Sequence, residues 1–283
     1  MRAEVSEIKT SWQGFGRLVS LNAEMEGLLF DNLELDLSKC SWFDANMSAP
    51  LGVILARCAD DLNDVTVTGV REEIVKVLSK NLFLRNYGYP PVTDGNGTVV
   101  PFNRFDLTDD RYFASYVNQY TQGKGIPEMS QLLRRKFNEA IGELFANAVT
   151  HSASRLGIFA CGQYFPKTQF FNFCIADAGG GFIGAIKRAF DLEIDSIKAM
   201  KACLGDGFTT KRNEPGGLGL KLIKNFIELN RGSLVIVSNS AYYEFSHSGE
   251  IFQQLGSPFP GTCVNIEVNT ADRSRYRLSS ETS

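Results

Sequence analysis

Two polar residues in the middle of the chain have a spacing that could carry chemistry. Glu143 and Asn147 are four positions apart, so a helix would present both side chains on one face. A carboxylate can take a proton from an attacking water or hydroxyl, and a carboxamide oxygen can bind Mg²⁺ beside phosphates and waters. The pair predicts Glu143 as a catalytic base and Asn147 as a metal ligand. By itself it also fits two polar residues on a solvated helix face.

A second group, Asp177-Ala178-Gly179-Gly180-Gly181, directly follows an apolar run. A carboxylate at the end of a strand can accept a hydrogen bond from an exocyclic amine such as that of adenine. Gly179 and Gly181 would let the backbone approach a planar base, because glycine has no Cβ and adopts positive φ readily. The alternative is an ordinary glycine-rich turn.

The third group is a glycine-rich start to a helix, at 216–220. Backbone N–H groups at such a start can bind phosphate, and the helix dipole adds a partial positive charge. The pattern is neither GxGxxG after a first strand nor GxxxxGK[ST], which excludes Rossmann and Walker A interpretations. Simple helix-start glycines and a surface lysine remain the alternative. The residues predicted to contact phosphates are Thr209, Thr210, Lys211, Gly217, Leu218, Gly219 and Leu220.

The fourth group, Gly261-Thr262, precedes the last apolar alternation of the chain. Alone it indicates nothing. In the context of the other three groups, Thr262 is predicted to support the adenine base through a water molecule or through the Asp177 carboxylate.

Hydrophobic periodicity indicates the elements that must position these residues. A long helix over about 127–150 would carry Glu143 and Asn147, and a helix over about 218–229 would begin at the third group. Helices grouped apart from an antiparallel or mixed sheet favour an α+β sandwich. The predicted strands are 156–160, 170–176, 233–237, 241–245 and 263–268, with a weakly helical, glycine-rich stretch over 182–207.

The first third of the chain alternates strand and helix patterns, which favours a small α/β domain with a partly parallel sheet. Asp44 or Asn46 is predicted to cap the first of its helices. The predicted domains are 1–90 and 128–283, joined by a transition segment over 91–127. The elements are strands over 33–37, 65–70 and 98–102 and helices over 47–62, 74–78 and 111–120.

Composition limits the classes of function. The 283 residues are 43% hydrophobic and 22% charged, with a net charge of −3, so we expect about two globular domains and no nucleic-acid partner. Two histidines make a His-rich metal site implausible. We expect a cytoplasmic protein without a membrane partner, since no apolar run reaches about 20 residues. Six cysteines without a CxxC pair are expected to be reduced, with Cys174 and Cys263 buried.

In this order, the four groups resemble the N-box, DxGxG, GGxG and terminal Gly-Thr motifs of the GHKL (histidine-kinase-like) ATPases. The resemblance covers about 128–269. It implies a Bergerat-type α/β sandwich with helices on one face of a mixed sheet, and ATP bound with Mg²⁺ through Asn147. It also implies that Asp177 reads the adenine and that a mobile lid over about 182–215 folds over the phosphates.

Within that family, the stretch from Glu143 to His151 is similar to the anti-sigma-factor serine kinases. A histidine autokinase needs a phospho-accepting histidine on a preceding helix pair. The chain has only His151 and His247, so autokinase activity is not expected.

The first domain resembles a STAS domain, the fold of anti-anti-sigma factors, through the strand at 33–38 and the residues from Trp42 to Asn46. Those factors are phosphorylated on a Ser or Thr two residues after the aspartate. Asn46 stands at that position after Asp44, and a carboxamide cannot accept a phosphoryl group. The resemblance therefore implies a regulatory or docking domain in which a phosphorylation switch at this position is doubtful.

Together these observations lead us to expect an ATP-binding regulatory protein. It would hydrolyse ATP, or transfer the γ-phosphoryl group to a protein hydroxyl. One alternative is a nucleotide-gated interaction module with little or no turnover, and a weaker one is a scaffold with a degenerate pocket. We expect a protein partner at the STAS-like domain, and the sequence leaves a homodimer open.

Overall fold

A three-stranded sheet, a five-stranded sheet and a short two-stranded pair, with the helices around them, organise the part of the chain that is described. A computed structural model describes residues 1–152, 154–205 and 218–281, with the backbone alone at 151 and 218. Among these residues, no helix combines the length and the apolar character needed to cross a membrane. The strands are β1 (Arg2–Glu4), β2 (Asn32–Asp36), β3 (Asp64–Thr68), β4 (Val99–Phe105), β5 (Glu128–Met129), β6 (Ile158–Phe165), β7 (Phe170–Asp177), β8 (Ser233–Ser246), β9 (Gly249–Asn269) and β10 (Arg275–Tyr276).

Apart from the first helix, for which no prediction was made, the helices lie close to the positions that apolar periodicity predicts. They are α1 (Trp12–Glu24), α2 (Ser48–Asp60), α3 (Glu72–Lys80), α4 (Asp110–Thr121), α5 (Gln131–Ser152), α6 (Gly181–Phe190), α7 (Ser196–Leu204) and α8 (Leu218–Asn230). The stretch predicted as a glycine-rich, weakly helical loop over 182–207 contains α6 and α7.

The first sheet has the order β1-β2-β3, and both pairings are parallel, as the alternation of strands and helices predicts. The predicted cap of α2 is wrong. A 3₁₀ turn over Ala45–Met47 leads into α2, and neither Asp44 nor Asn46 makes a side-chain capping bond. Asp44 instead accepts hydrogen bonds from Thr10 and from the Trp42 indole, so its carboxylate is engaged elsewhere.

The second sheet has the order β4-β6-β7-β9-β8, and every one of these pairings is antiparallel. The mixed sheet that the family resemblance implied is therefore wrong for these strands. The reason lies in the connections, since β6–β7 and β8–β9 are hairpins and hairpins join antiparallel strands. A short parallel pair of β5 and β10 lies outside this sheet.

The predicted transition segment contributes directly to the second sheet. Its strand β4 pairs with β6, and its helix α4 packs beside α5, where the rings of Phe113 and Phe145 stack 4.4 Å apart. Residues 99–121 therefore add one strand to the second sheet and one helix beside α5.

Both faces of the second sheet are buried, which gives three layers. On one face, residues such as Phe159 and Cys174 share a hydrophobic core with α1, α2 and the first sheet. On the other face, Phe173 and Ile175 share a core with α4, α5, α7 and α8. Burial on both faces explains why β7 is a continuous apolar run rather than an alternating one.

A chain of polar side chains crosses the interface between the first segment and the second sheet. Asn46 is fully buried and donates from Nδ2 to Thr10 Oγ1 and to Asn265 Oδ1, both at 2.8 Å. Asn265 donates to Asn172 Oδ1 at 2.8 Å, and Asn172 donates to Glu267 Oε2 at 3.1 Å. Asn46, the residue two positions after Asp44, thus points into the second sheet.

All six cysteines are free thiols, and five of them are buried. Cys174 and Cys263 face each other on paired strands with their Sγ atoms 3.3 Å apart. Burial raises the pKa of the Cys174 thiol well above its usual range, which keeps it protonated.

Candidate functional site

Helix α5 brings the first predicted group against the third. The Glu143 Oε2 atom accepts a hydrogen bond of 3.0 Å from the backbone N–H of Gly219, in the first turn of α8. A Cβ built on Gly219 would lie 2.3 Å from that carboxylate oxygen, so glycine is what permits the approach. The start of α8 thus holds an anionic group, as the partial charge of a helix N-terminus favours.

Asp177 ends β7 on the same sheet face as α5, because it follows Phe173 and Ile175 at the two-residue period of a strand. Its side chain is buried, and its Oδ1 atom accepts a hydrogen bond of 2.8 Å from the Gly179 N–H. Burial raises the pKa of Asp177 to about 7, although the backbone N–H groups of Gly179 and Thr262 and the charge of Arg188 act in the opposite direction.

Two glycines allow three backbone segments to meet beside Asp177. A Cβ on Gly179 would lie 2.1 Å from the carbonyl oxygen of Ser152, at the end of α5. A Cβ on Gly261 would lie 2.0 Å from the carbonyl oxygen of Asp177, and Gly261 has a φ of 138°. The loop over 177–181 therefore packs between the end of α5 and the Gly261-Thr262 group.

Gly181 has a different environment from the one predicted. It begins α6 with a φ of 63°, and a Cβ there would lie 2.5 Å from Asn239 Oδ1. The next two N–H groups, of Phe182 and Ile183, are bonded by Ser238 Oγ at 2.8 Å and by Asn239 Oδ1 at 3.1 Å. Two side chains of β8 therefore cap this helix start, and Gly181 serves that junction.

Thr262 pairs with Asp177 across β7 and β9, as its predicted role requires. Its Oγ1 atom lies 3.0 Å from Ser238 Oγ, which joins it to the hydroxyl that also caps α6. The hydroxyl group of Thr262 is thus already engaged in a side-chain network at the end of the sheet.

The other predicted residues divide into two groups. Asn147 and Leu220 are half-buried, on α5 and α8 respectively, and Leu218 begins α8. Thr209, Thr210, Lys211 and Gly217 lie outside the described residues, as does the side chain of Leu218.

The described part of the predicted lid, 182–205, is docked on the sheet through α6 and α7. Ala185, Ile186, Ala199 and Met200 are buried there. Residues 206–215 of that prediction lie outside the described residues.

Sequence reasoning missed Ser152, Ser238 and Asn239, which hold the glycine loops in place. Gly180 N–H donates to the Ser152 carbonyl at 3.0 Å, and Asn239 Nδ2 donates to the Gly180 carbonyl at 3.1 Å. The signal for the β8 pair was available, because Ser238-Asn239-Ser240 interrupts an otherwise apolar strand. For Ser152 there was none, since its backbone makes the contact.

A separate cavity of about 390 Å³ lies on the same sheet face, between α4, α5 and the strands. It is lined at its base by Phe171 and Phe173 of β7 and by Ile266 and Val268 of β9. Asp177 and Thr262 stand at the opposite ends of those strands, so this cavity is distinct from the predicted nucleotide site.

Comparison with known proteins does not assign the chain to a family. No protein-family model matches it, and no curated protein is significantly similar to it.

Proposed function

We propose that the unit containing α5, β7, α8 and β9 binds ATP with Mg²⁺ and turns it over, by hydrolysis or by transfer of the γ-phosphoryl group to a protein hydroxyl. The observation that carries the proposal is the meeting of the predicted motifs around the second half of α5. Glu143 contacts Gly219 there, and Gly179 and Gly261 close on either side of Asp177. The first and third groups thus meet at Glu143, and the second and fourth groups meet beside Ser152, at the end of the same helix.

The residues fit the nucleotide that the resemblance implies. Asp177 is a buried carboxylate at the end of the central strand β7, and a carboxylate can accept a hydrogen bond from an adenine amine. The glycines beside it let the neighbouring backbone segments pack closely, which fixes the position of Asp177 at the end of β7. Asn147 would hold Mg²⁺, whose charge would offset that of the phosphates.

In the proposed mechanism, Glu143 has two tasks. Its Oε2 atom fixes the first turn of α8 through Gly219 N–H. A carboxylate oriented in this way can also accept the proton of an attacking water or serine hydroxyl. Positioning and charge neutralisation account for most of the catalysis of phosphoryl transfer, and α5 carries both Glu143 and Asn147 on one rigid element.

A phosphoacceptor at the position of Asn46 could not reach Glu143 of the same chain, which favours another protein as the source of the hydroxyl. Asn46 is fully buried and bonded to Asn265, a residue of β9 that points away from α5. It is therefore separated from Glu143 by the whole thickness of the sheet. This observation favours a docking role for the first segment.

The test is to measure ATP binding and phosphate release in Glu143→Ala. We expect turnover to be abolished because the base is lost, while ATP affinity stays within about tenfold, because the phosphates would be held mainly by backbone N–H groups. Glu139→Ala is the matched control, since Glu139 is exposed one turn earlier on α5 and pairs with Arg135.

Unchanged turnover in Glu143→Ala would reject the catalytic role. Binding of ATP without phosphate release in the unaltered protein would instead favour the second candidate, a nucleotide-gated interaction module. The docking of α6 and α7 on β8 gives that candidate a structural basis, because these helices adjoin the start of the predicted phosphate-binding segment. An ATP-dependent change in protease sensitivity near α7 would support it.

A further inference from the structure

Three large apolar side chains are exposed together at one end of the first sheet. Leu29 is 60% exposed, Phe30 is 78% exposed and Leu62 is 64% exposed. The register pairs Asn32 with Asp64, so Phe30 and Leu62 lie two residues before paired positions on adjacent strands. The Asp64 N–H donates to the Asp31 carbonyl at 2.9 Å, which holds the segments that carry these side chains next to each other. We refer to Leu29, Phe30 and Leu62 as the Phe30 patch.

The backbone of the patch adopts a conformation that its side chains disfavour. Phe30 has a φ of 54° and Leu62 a φ of 61°, both in the left-handed region. Residues with a bulky Cβ substituent rarely occupy that region, whereas asparagine and glycine tolerate it. The fold thus keeps apolar side chains in solvent at two positions where a small polar residue would suit the backbone better.

One buried amide fixes both loops of the patch. Asn63 is 6% exposed, and its Nδ2 atom donates to the carbonyl groups of Leu28 at 2.8 Å and Cys58 at 2.9 Å. Its Oδ1 atom accepts from Asp31 N–H at 3.0 Å. A surface held in this way is pre-organised, so binding to it costs less conformational entropy than binding to a loose loop.

The sequence around the patch is acidic. The chain segments that carry it, 24–32 and 57–64, contain six carboxylates and one arginine, Arg57. Asp60 pairs with Arg155 at 3.0 Å, and Asp31 lies 3.9 Å from the N-terminal amine. Among the described residues, the other four carboxylates form no ion pair. The six acidic residues are Glu24, Glu26, Asp31, Asp60, Asp61 and Asp64.

We propose that the Phe30 patch is a docking surface for a cationic amphipathic helix of a partner protein. Its apolar centre would receive the apolar face of the helix, and its carboxylates would attract lysine or arginine on the flanks of that helix. Two copies of this chain meeting patch to patch would bring like charges together, which disfavours self-association through it. Anionic partners such as nucleic acid would be repelled for the same reason.

The test uses a fluorescein-labelled helical peptide of leucine and lysine, titrated with the full chain and followed by anisotropy. No ATP or Mg²⁺ is added, so the result is independent of the proposed nucleotide site. We expect saturable binding that weakens as salt is raised. A peptide with glutamate in place of every lysine is expected not to bind.

Substitution of the patch separates recognition from stability. In Phe30→Asn/Leu62→Asn we expect at least a tenfold loss of peptide affinity. The unfolding temperature should equal or exceed that of the unaltered protein, because asparagine tolerates the left-handed backbone conformation better than phenylalanine or leucine. Leu229→Asn is the matched control, since Leu229 is a 69% exposed leucine at the end of α8. It is expected to bind the peptide normally.

Three outcomes would overturn the proposal: failure of the lysine peptide to bind, equal affinity of the double variant and the unaltered protein, or equal binding of the glutamate peptide. Concentration-dependent dimerisation that the double variant abolishes would also overturn it, because the occupant would then be a second copy of the chain.

Discussion

Asp177 shows how one buried carboxylate can be costly to the fold and useful to a site. It is 4% exposed, and burial raises its pKa to about 7 from the ordinary 3.8. Between these values the native state holds a proton that the unfolded chain releases. The contribution of Asp177 to the free energy of unfolding therefore falls as the pH rises from about 4 to about 7.

We predict that Asp177→Asn removes this pH dependence and weakens ATP binding about 10- to 100-fold, the worth of one hydrogen bond to a charged group. In the unaltered protein, affinity for ATP should rise from about pH 6 to about pH 8, because the ionised carboxylate accepts the bond from the adenine amine more strongly. Calorimetric titration and urea unfolding of both proteins across this range check the prediction. An asparagine variant with the original affinity and the original pH profile would exclude Asp177 from base recognition.

At the scale of the elements, the loop after β7 depends on close backbone contact. We predict that Gly179→Ala lowers stability by about 1–3 kcal/mol, because its Cβ would lie 2.1 Å from the Ser152 carbonyl and one backbone segment must move. ATP affinity should fall with it if the loop lines the nucleotide site.

The control for this prediction is Gly16→Ala in α1. A Cβ there meets nothing within 4 Å, and alanine in a helix interior is favoured over glycine by about 0.5–1 kcal/mol. Urea denaturation should therefore give a lower free energy of unfolding for Gly179→Ala than for the unaltered protein, and a higher one for Gly16→Ala. A Gly179→Ala variant as stable as the unaltered protein would mean that the loop adjusts without strain.

Much of the secondary structure could be predicted from the sequence, because periodicity reports burial directly. The strict alternation around Leu35 corresponds to β2, and the helical spacing over 218–229 corresponds to α8. The long apolar run of β7 indicated a strand, but not that both of its faces are buried, nor what covers each face. That information lies in the pairing of distant segments, which local pattern does not encode.

The candidate site was predicted in part for the same reason. Side chains with chemistry, such as Glu143 and Asp177, stand out in the sequence. The polar interruption at Ser238 and Asn239 is visible in the sequence, but their capping of α6 depends on how β8 lies beside that helix, which local pattern does not show. The role of a predicted glycine became clear only when the atoms around it were known. At Gly181, for example, the neighbouring atom is Oδ1 of Asn239.

At the scale of the whole molecule, the first segment and the second sheet share one hydrophobic core. Leu35 and Phe15 belong to the same cluster as Phe159 and Cys263. The asparagine chain from Asn46 crosses the boundary as well, and a buried polar group that lost its partner there would remain unsatisfied. This architecture favours unfolding of the first segment and the second sheet together.

We predict a single cooperative transition, read by thiol labelling in increasing urea. Cys40 and Cys58 report the first segment, and Cys174 and Cys263 report the second sheet, because all four are buried. Mass spectrometry should find these four thiols becoming reactive at the same urea concentration. Labelling of Cys40 and Cys58 at a lower concentration would show that the first segment opens independently.

The hairpin of β8 and β9 extends past the sheet and contacts elements on both sides of the molecule. Lys201 of α7 lies over the Phe252 ring at 5.1 Å, and the Trp12 indole of α1 donates to the Gln254 carbonyl at 3.3 Å. A ligand that displaced α7 would therefore act on the same ribbon that holds Trp12. Since the chain has only two tryptophans, the emission of Trp12 offers a built-in optical signal for events on the far side of the sheet.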